Sequence, residues 1–231
     1  MHDPTPARRL VAEALGTALL VATVVGSGVM VQTLTHDTAL ALLANTLATG
    51  AILVVLIPTL GPISGAHFNP AVSLVLTLNG TLARRHALPY IIAQTSGGIA
   101  GTIAAHAMFA LPLITFSQHA RAGAPLWFSE FIATFGLVTT ILAGIRFTQQ
   151  SVPWLVGLYI TAAYWFTAST SFANPAVAIA RSLTNSFSGI RPIDLPGFIV
   201  AQCAGALFAL ALSNWLLNPS HPTPRAPRAH S

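Results

Sequence analysis

The triplet Asn-Pro-Ala occurs twice, as Asn69-Pro70-Ala71 and as Asn174-Pro175-Ala176, and each copy opens a short apolar run. Asn is a favoured helix N-cap and Pro is favoured at the first helical position, so a lone copy reads as an ordinary helix start. Two copies at equivalent points of one chain point to shared chemistry. If the two helices meet end to end, each side-chain amide can donate an N–H to an oxygen passing between them, while the positive ends of the two dipoles repel cations. Other candidate groups are sparse. Glu13 and Glu130 lie inside apolar stretches, where a carboxylate serves either a proton relay or the free N–H groups of irregular backbone; their symmetric placement favours the second. His67, just ahead of the first triplet, reads as a fixed hydrogen-bonding group, with a pH gate as the alternative. His106 faces either the helix bundle or a lumen. With no carboxylate at ligand spacing from these histidines and a single unpartnered Cys203, the sequence predicts no metal site, no cofactor and no disulfide within the chain. Catalysis needs an ionisable pair within mutual reach, and the two separated glutamates do not supply one, so the sequence predicts no enzyme.

The elements that must position these groups are set by composition. The chain has 231 residues, 54% hydrophobic and 6% charged, against roughly 25% charged in soluble domains. A bilayer core of roughly 30 Å needs about 20 apolar residues per helix. Hydropathy predicts six such spans, at 10–31, 38–58, 90–111, 127–147, 154–170 and 197–216. Two apolar pieces, 69–78 and 174–183, have half the required length and each follows a loop. They are predicted to be re-entrant, and irregular backbone at membrane depth is tolerated only where protein buries it or water fills a cavity beside it. The predicted fold is therefore an all-α membrane protein of six transmembrane helices plus two half-helices.

All ten basic residues are Arg and they are scattered between apolar runs, which excludes a nucleic-acid surface and reads as a topology signal. With the N-terminus inside, one side holds seven (Arg8, Arg9, Arg84, Arg85, Arg146, Arg225 and Arg228) and the other three (Arg121, Arg181 and Arg191), so both termini are predicted to be cytoplasmic. The Pro-rich stretch after Asn218 reads as a disordered tail.

Landmarks recur in the same order along the two halves. Glu13 with Thr17 matches Glu130 with Thr134, His67-Phe68-Asn69-Pro70-Ala71-Val72 resembles Ser171-Phe172-Ala173-Asn174-Pro175-Ala176-Val177, and Ala93-Gln94 matches Ala201-Gln202, at offsets of 117, 105 and 108 residues. Three spans per half is an odd number, so the second half is inverted and the shared site falls near the bilayer midplane. The division is an N-terminal segment 1–9, a first half-repeat 10–112, an extracytoplasmic connection 113–126, an inverted half-repeat 127–217 and a tail 218–231. The clusters around Gly97-Gly98-Gly101 and Gly205 read as close helix crossings.

These features resemble the aquaporin, or major intrinsic protein, family over roughly residues 8–217: both Asn-Pro-Ala boxes, the Ser64-Gly65-Ala66-His67 lead-in and the repeated Glu-x-x-x-Thr pair. The resemblance implies one pore per subunit and a homotetramer in a lipid bilayer. In water-selective members an Arg stands three residues after the second motif's Asn; here that position is Val177. Carried over by distance from each motif Asn, the other filter positions are Thr49, Ala162 and Ser171, all small and uncharged. Replacing Arg by Val removes bulk, charge and donors together. The expectation is a wide passive channel for water, glycerol-type solutes, and arsenite or methylated arsenicals. The sequence is similar in this respect to divergent bacterial aquaporins associated with arsenic resistance, which implies a bacterial plasma membrane location. The alternatives are an orthodox water-selective channel and a non-conducting scaffold of the same fold. Arg181, one helical turn beyond Val177, is expected to extend into the outer vestibule, the alternative being a reach back to the filter.

Overall fold

The computed structural model describes residues 4–217; the predicted tail 218–231, with Arg225 and Arg228, lies outside them. The described residues form helices joined by short connections, with no strand. The first half contains α1 (Pro6–Leu34), α2 (Thr38–Ser64), the short α3 (Pro70–Leu78) and α4 (Arg84–Met108). The second contains α5 (Ala124–Phe147), α6 (Val152–Phe166), the short α7 (Pro175–Arg181) and α8 (Leu195–Leu216). Four helices, α1, α2, α5 and the one ending at Leu216, are long and apolar enough to cross a membrane by length and composition. The other two predicted spans fall short for different reasons. α4 has the length but carries Arg84, Arg85, Gln94 and His106, while α6 has 15 residues and so rises roughly 22 Å. α2 also runs beyond the expected boundary at 58, through Pro58 and Pro62, and stops at Gly65, whose φ of 93° is the left-handed cap that glycine takes most readily.

The halves are built alike. α1 packs on α4 as α5 packs on α8. A Cβ at Gly97 or Gly101 would overlap the carbonyl oxygens of Ala14 and Ala18, and one at Gly205 would overlap that of Phe131; glycine is what lets these backbones touch. α2 and α6 close the ring between the halves. Each half-helix then reaches across: α3 packs on α8 and α5, α7 on α4 and α1. The interior is aliphatic, centred on Val21, Val24, Leu53, Leu137 and Ile160. The outside is apolar too, with Leu47, Val55, Ile92, Leu158 and Val200 more than half exposed, as a lipid-facing surface requires and a soluble one does not.

Candidate functional site

The two Asn-Pro-Ala triplets meet. Asn69 and Asn174 are the N-caps of α3 and α7, each with its side-chain oxygen accepting from its own helix: Asn69 Oδ1 from the Ala71 N–H at 2.9 Å, Asn174 Oδ1 from Ala176 at 3.0 Å and Val177 at 3.3 Å. Their amide nitrogens cross between the halves. Asn69 Nδ2 donates to the Ala173 carbonyl and Asn174 Nδ2 to the Phe68 carbonyl, both at 2.8 Å. Each amide carries two N–H donors and spends one on this clasp. Both Asn residues border one elongated cavity.

The loops feeding the half-helices hold an improbable backbone. Gly65, Ala66 and Phe68 have φ of 93°, 51° and 47°, and Thr170, Ser171 and Ala173, each 105 positions later, have 62°, 48° and 49°. For a non-glycine residue that conformation costs about 1–2 kcal/mol, and inside a membrane the loop N–H groups find no water. Both difficulties are answered by the buried glutamates. Glu13 accepts from Ser64 Oγ (2.6 Å), His67 N (3.0 Å), Phe68 N (2.7 Å) and Gln94 Nε2 (2.7 Å). Glu130 accepts from Phe172 N (2.9 Å), Ala173 N (2.9 Å) and Gln202 Nε2 (2.6 Å). Hydrogen bonds to a charged acceptor contribute about 1.5–3 kcal/mol each, enough to hold the strained loops. Gln94 and Gln202 had been visible only as repeat landmarks; the structure gives them this shared role. His67 borders the cavity with Nδ1 3.0 Å from Ser73 Oγ and its ring on Tyr90. His106 lies in the bundle, tied to the Pro112 and Leu113 carbonyls and to Thr184 Oγ1.

The cavity has a volume of about 750 Å³ and runs between the halves from Gln149 and Ile145 past Asn69 and Asn174 to Thr49, Ser171 and Val177. Three of the four expected filter residues border it, and Ala162 does not. Ala162 is exposed on the outer face of α6, because the lumen-facing stripe of that helix is Val152, Val156, Ile160 and Tyr164, spaced four apart. Tyr164 takes the place expected of Ala162, its hydroxyl 3.3 Å from Thr49 Oγ1. The distance-based transfer failed because α6 is linked to the motif by the loop 167–173, whose path the helix period does not set.

Arg181 is the second correction. Instead of extending into a vestibule it is 2% exposed and borders the cavity. Its guanidinium carbon lies 3.4 Å over the Phe172 ring, and its Nε donates to the Ser188 carbonyl. The spacing of four from Val177 did place it on the same helix face; the aromatic partner and the folded-back segment 182–190 that turn it inward were not visible. A charged side chain thus borders the cavity beside the small, uncharged Val177 and Ser171. Arg121, from the connection 109–123, also lies over the Phe172 ring at 5.1 Å, with its Nε on the Gly189 carbonyl and Nη1 on the Ser169 carbonyl. Its backbone N–H donates to Asp194, which Arg191 also grips at 3.0 Å. The mouth is electropositive: the His119 imidazole is held below its ordinary value by burial and by Arg121 and Arg181. No cluster of metal-ligating side chains exists among the described residues.

With this geometry in hand, comparison with known proteins gives a consistent result. A family model described as Major intrinsic protein matches residues 1–151. The chain is 68% identical over 215 residues to the aquaglyceroporin AqpS of Rhizobium meliloti, covering 93% of this chain and 92% of that one. It is 31% identical over 211 residues to aquaporin Z of Photorhabdus laumondii subsp. laumondii, covering 91% and 87%. Among solved structures, that of the aquaglyceroporin from Plasmodium falciparum aligns with a TM-score of 0.75 over 92% of this chain and 97% of that one; at 20% identity this is a likeness of fold.

Proposed function

The chain belongs to the major intrinsic protein family, and from that premise we propose that it is a passive, non-enzymatic membrane channel for water and for neutral hydroxylated solutes of glycerol size. The observation that carries the reading is the crossed pair of Asn amides inside one cavity between the halves. Each keeps a donor for a passing oxygen, and the walls around them are aliphatic, so a neutral polyol can exchange water for amide contacts without leaving a charge desolvated. Val177, where an Arg would narrow the lumen, leaves room for a solute wider than water. Arsenite and methylated arsenicals, small and hydroxyl-covered when neutral, belong to the same proposal. So do a homotetrameric assembly, a bacterial plasma membrane location and cytoplasmic termini, the last supported by the Arg asymmetry.

The test is stopped-flow shrinkage and recovery of proteoliposomes given water, glycerol and arsenite gradients. The expected outcome is fast movement of all three in wild type and, in Val177→Arg, glycerol and arsenite permeability lower by about tenfold, the effect of roughly 1.4 kcal/mol at the constriction. Wild-type rates equal to those of empty vesicles would refute the channel, water without glycerol would make it water-selective, and unchanged glycerol and arsenite flux in Val177→Arg would remove that residue from the filter.

A further inference from the structure

Two residues that border the cavity each carry a buried polar atom with no hydrogen-bond partner in the protein: Nη1 of Arg181 and the hydroxyl of Ser171. The other unpartnered atoms of this kind among the described residues, on Thr46, Gln94, Gln202 and Ser213, do not border it. Groups desolvated to this degree without a partner are costly to the fold, and at a lumen wall the missing partner is what passes through. The Tyr164 hydroxyl lies beside the Arg181 guanidinium, and the carboxylates nearest to it are engaged elsewhere. Glu130 already serves two backbone N–H groups and Gln202, Asp194 is held by Arg191 and the Arg121 backbone, and the remaining charged neighbour, Arg121, is itself a cation.

Resting on the channel reading above, we infer that Arg181 and Ser171 form the solute-reading station of this pore. The unpartnered Nη1 and hydroxyl take oxygens of a polyhydroxylated solute, and the guanidinium, held flat on Phe172 and tethered to Ser188, bars cations. The charge given up at Val177 is thus restored from one turn further along α7, in a fixed position behind which the lumen stays wide. The station reads hydroxyl groups on the solute: a triol satisfies both groups, whereas a diol of the same carbon chain leaves one unpaired, a difference hydrogen-bonding sites discriminate well.

The test uses reconstituted full-length protein and two readouts, the permeability ratio of glycerol to propane-1,2-diol and the entry of methylammonium. Arg181→Gln should lower the ratio about tenfold, the size of one charge-assisted hydrogen bond, and admit methylammonium. Arg181→Lys should keep methylammonium out while losing the ratio, since an ammonium retains the charge without the planar stack on Phe172. Ser171→Ala should lower the ratio alone, by about threefold to tenfold for a neutral hydrogen bond. That last variant keeps the loop: the equivalent residue in the first half is Ala66, at the same backbone conformation. An Arg181→Gln protein with both readouts within about twofold of wild type overturns the inference, and so does an unchanged ratio in Ser171→Ala should the Arg181 variants fail to reconstitute. A wild type that conducts nothing strikes the channel reading instead.

Discussion

At the scale of single residues, the two buried glutamates decide whether the loops at the membrane centre can exist. Each answers N–H groups that lipid cannot, and each sits opposite backbone held in the left-handed region. Glu130→Gln keeps one acceptor oxygen and replaces the other with an amide NH2, so it leaves either Phe172 or Ala173 facing a donor. The expected result is a loss of about 1–3 kcal/mol, read as a lower melting temperature in detergent, with reduced glycerol flux because this loop runs directly into Asn174. Glu13→Gln should behave alike. A Glu130→Gln protein as stable and as conductive as wild type would show that the carboxylate does not hold the loop. The chemistry of these positions was legible from residue type and repetition. Arg181 was legible only in part and Tyr164 not at all, since a helix face tells where a side chain starts but not which ring or carbonyl it ends on.

At the scale of elements, helix proximity depends on a few glycines. Gly101 on α4 and Gly205 on α8 each stand against a carbonyl of the helix they pack on; the repeat counterpart of Gly205 is Gly97, one turn before Gly101. A side chain at either would push against backbone, which cannot swing aside. Gly101→Val should therefore cost about 1–3 kcal/mol or more and part α1 from α4, which moves Glu13 away from Gln94 and lowers both thermal stability and water permeability. Gly80, with no atom close to where a Cβ would stand, serves as the control: although its φ of 84° adds backbone strain on substitution, Gly80→Asn should retain flux. Gly101→Val conducting as wild type would mean that this crossing does not set the pore. The half-helices were plain in the sequence because Asn, Pro and an apolar run of half length coincide. The extent of α2 beyond Pro58 was not, because proline ends a helix in water more often than in a bundle.

At the scale of the whole molecule, the connection 109–123 straps the two halves together at the electropositive mouth through Arg121, Asp194 and Arg191. Burial pushes the Asp194 carboxyl up, but hydrogen bonds from Arg191 and the Arg121 backbone, with the Arg191 charge, outweigh it and hold it below its ordinary value of 3.8. A depressed folded value means stabilisation that is complete above the unfolded value and is lost as the pH falls through the folded one. The melting-temperature gap between wild type and Asp194→Asn should accordingly stay constant from about pH 8 to pH 5 and close only in stronger acid. A gap that already narrows at pH 6 would mean that the clasp is not carried by this carboxylate.

Hydropathy, helix period and repetition were enough to read a membrane chain of two inverted halves and to expect its two Asn-Pro-Ala half-helices to meet, because these are local properties that survive without contacts. Which side chains border the cavity came from long-range packing. Ala162 gave way to Tyr164 and a vestibule arginine became a wall residue through the path of the loop 167–173, the ring of Phe172 and the carbonyl of Ser188, all contacts between segments whose separation along the chain carries no periodic signal.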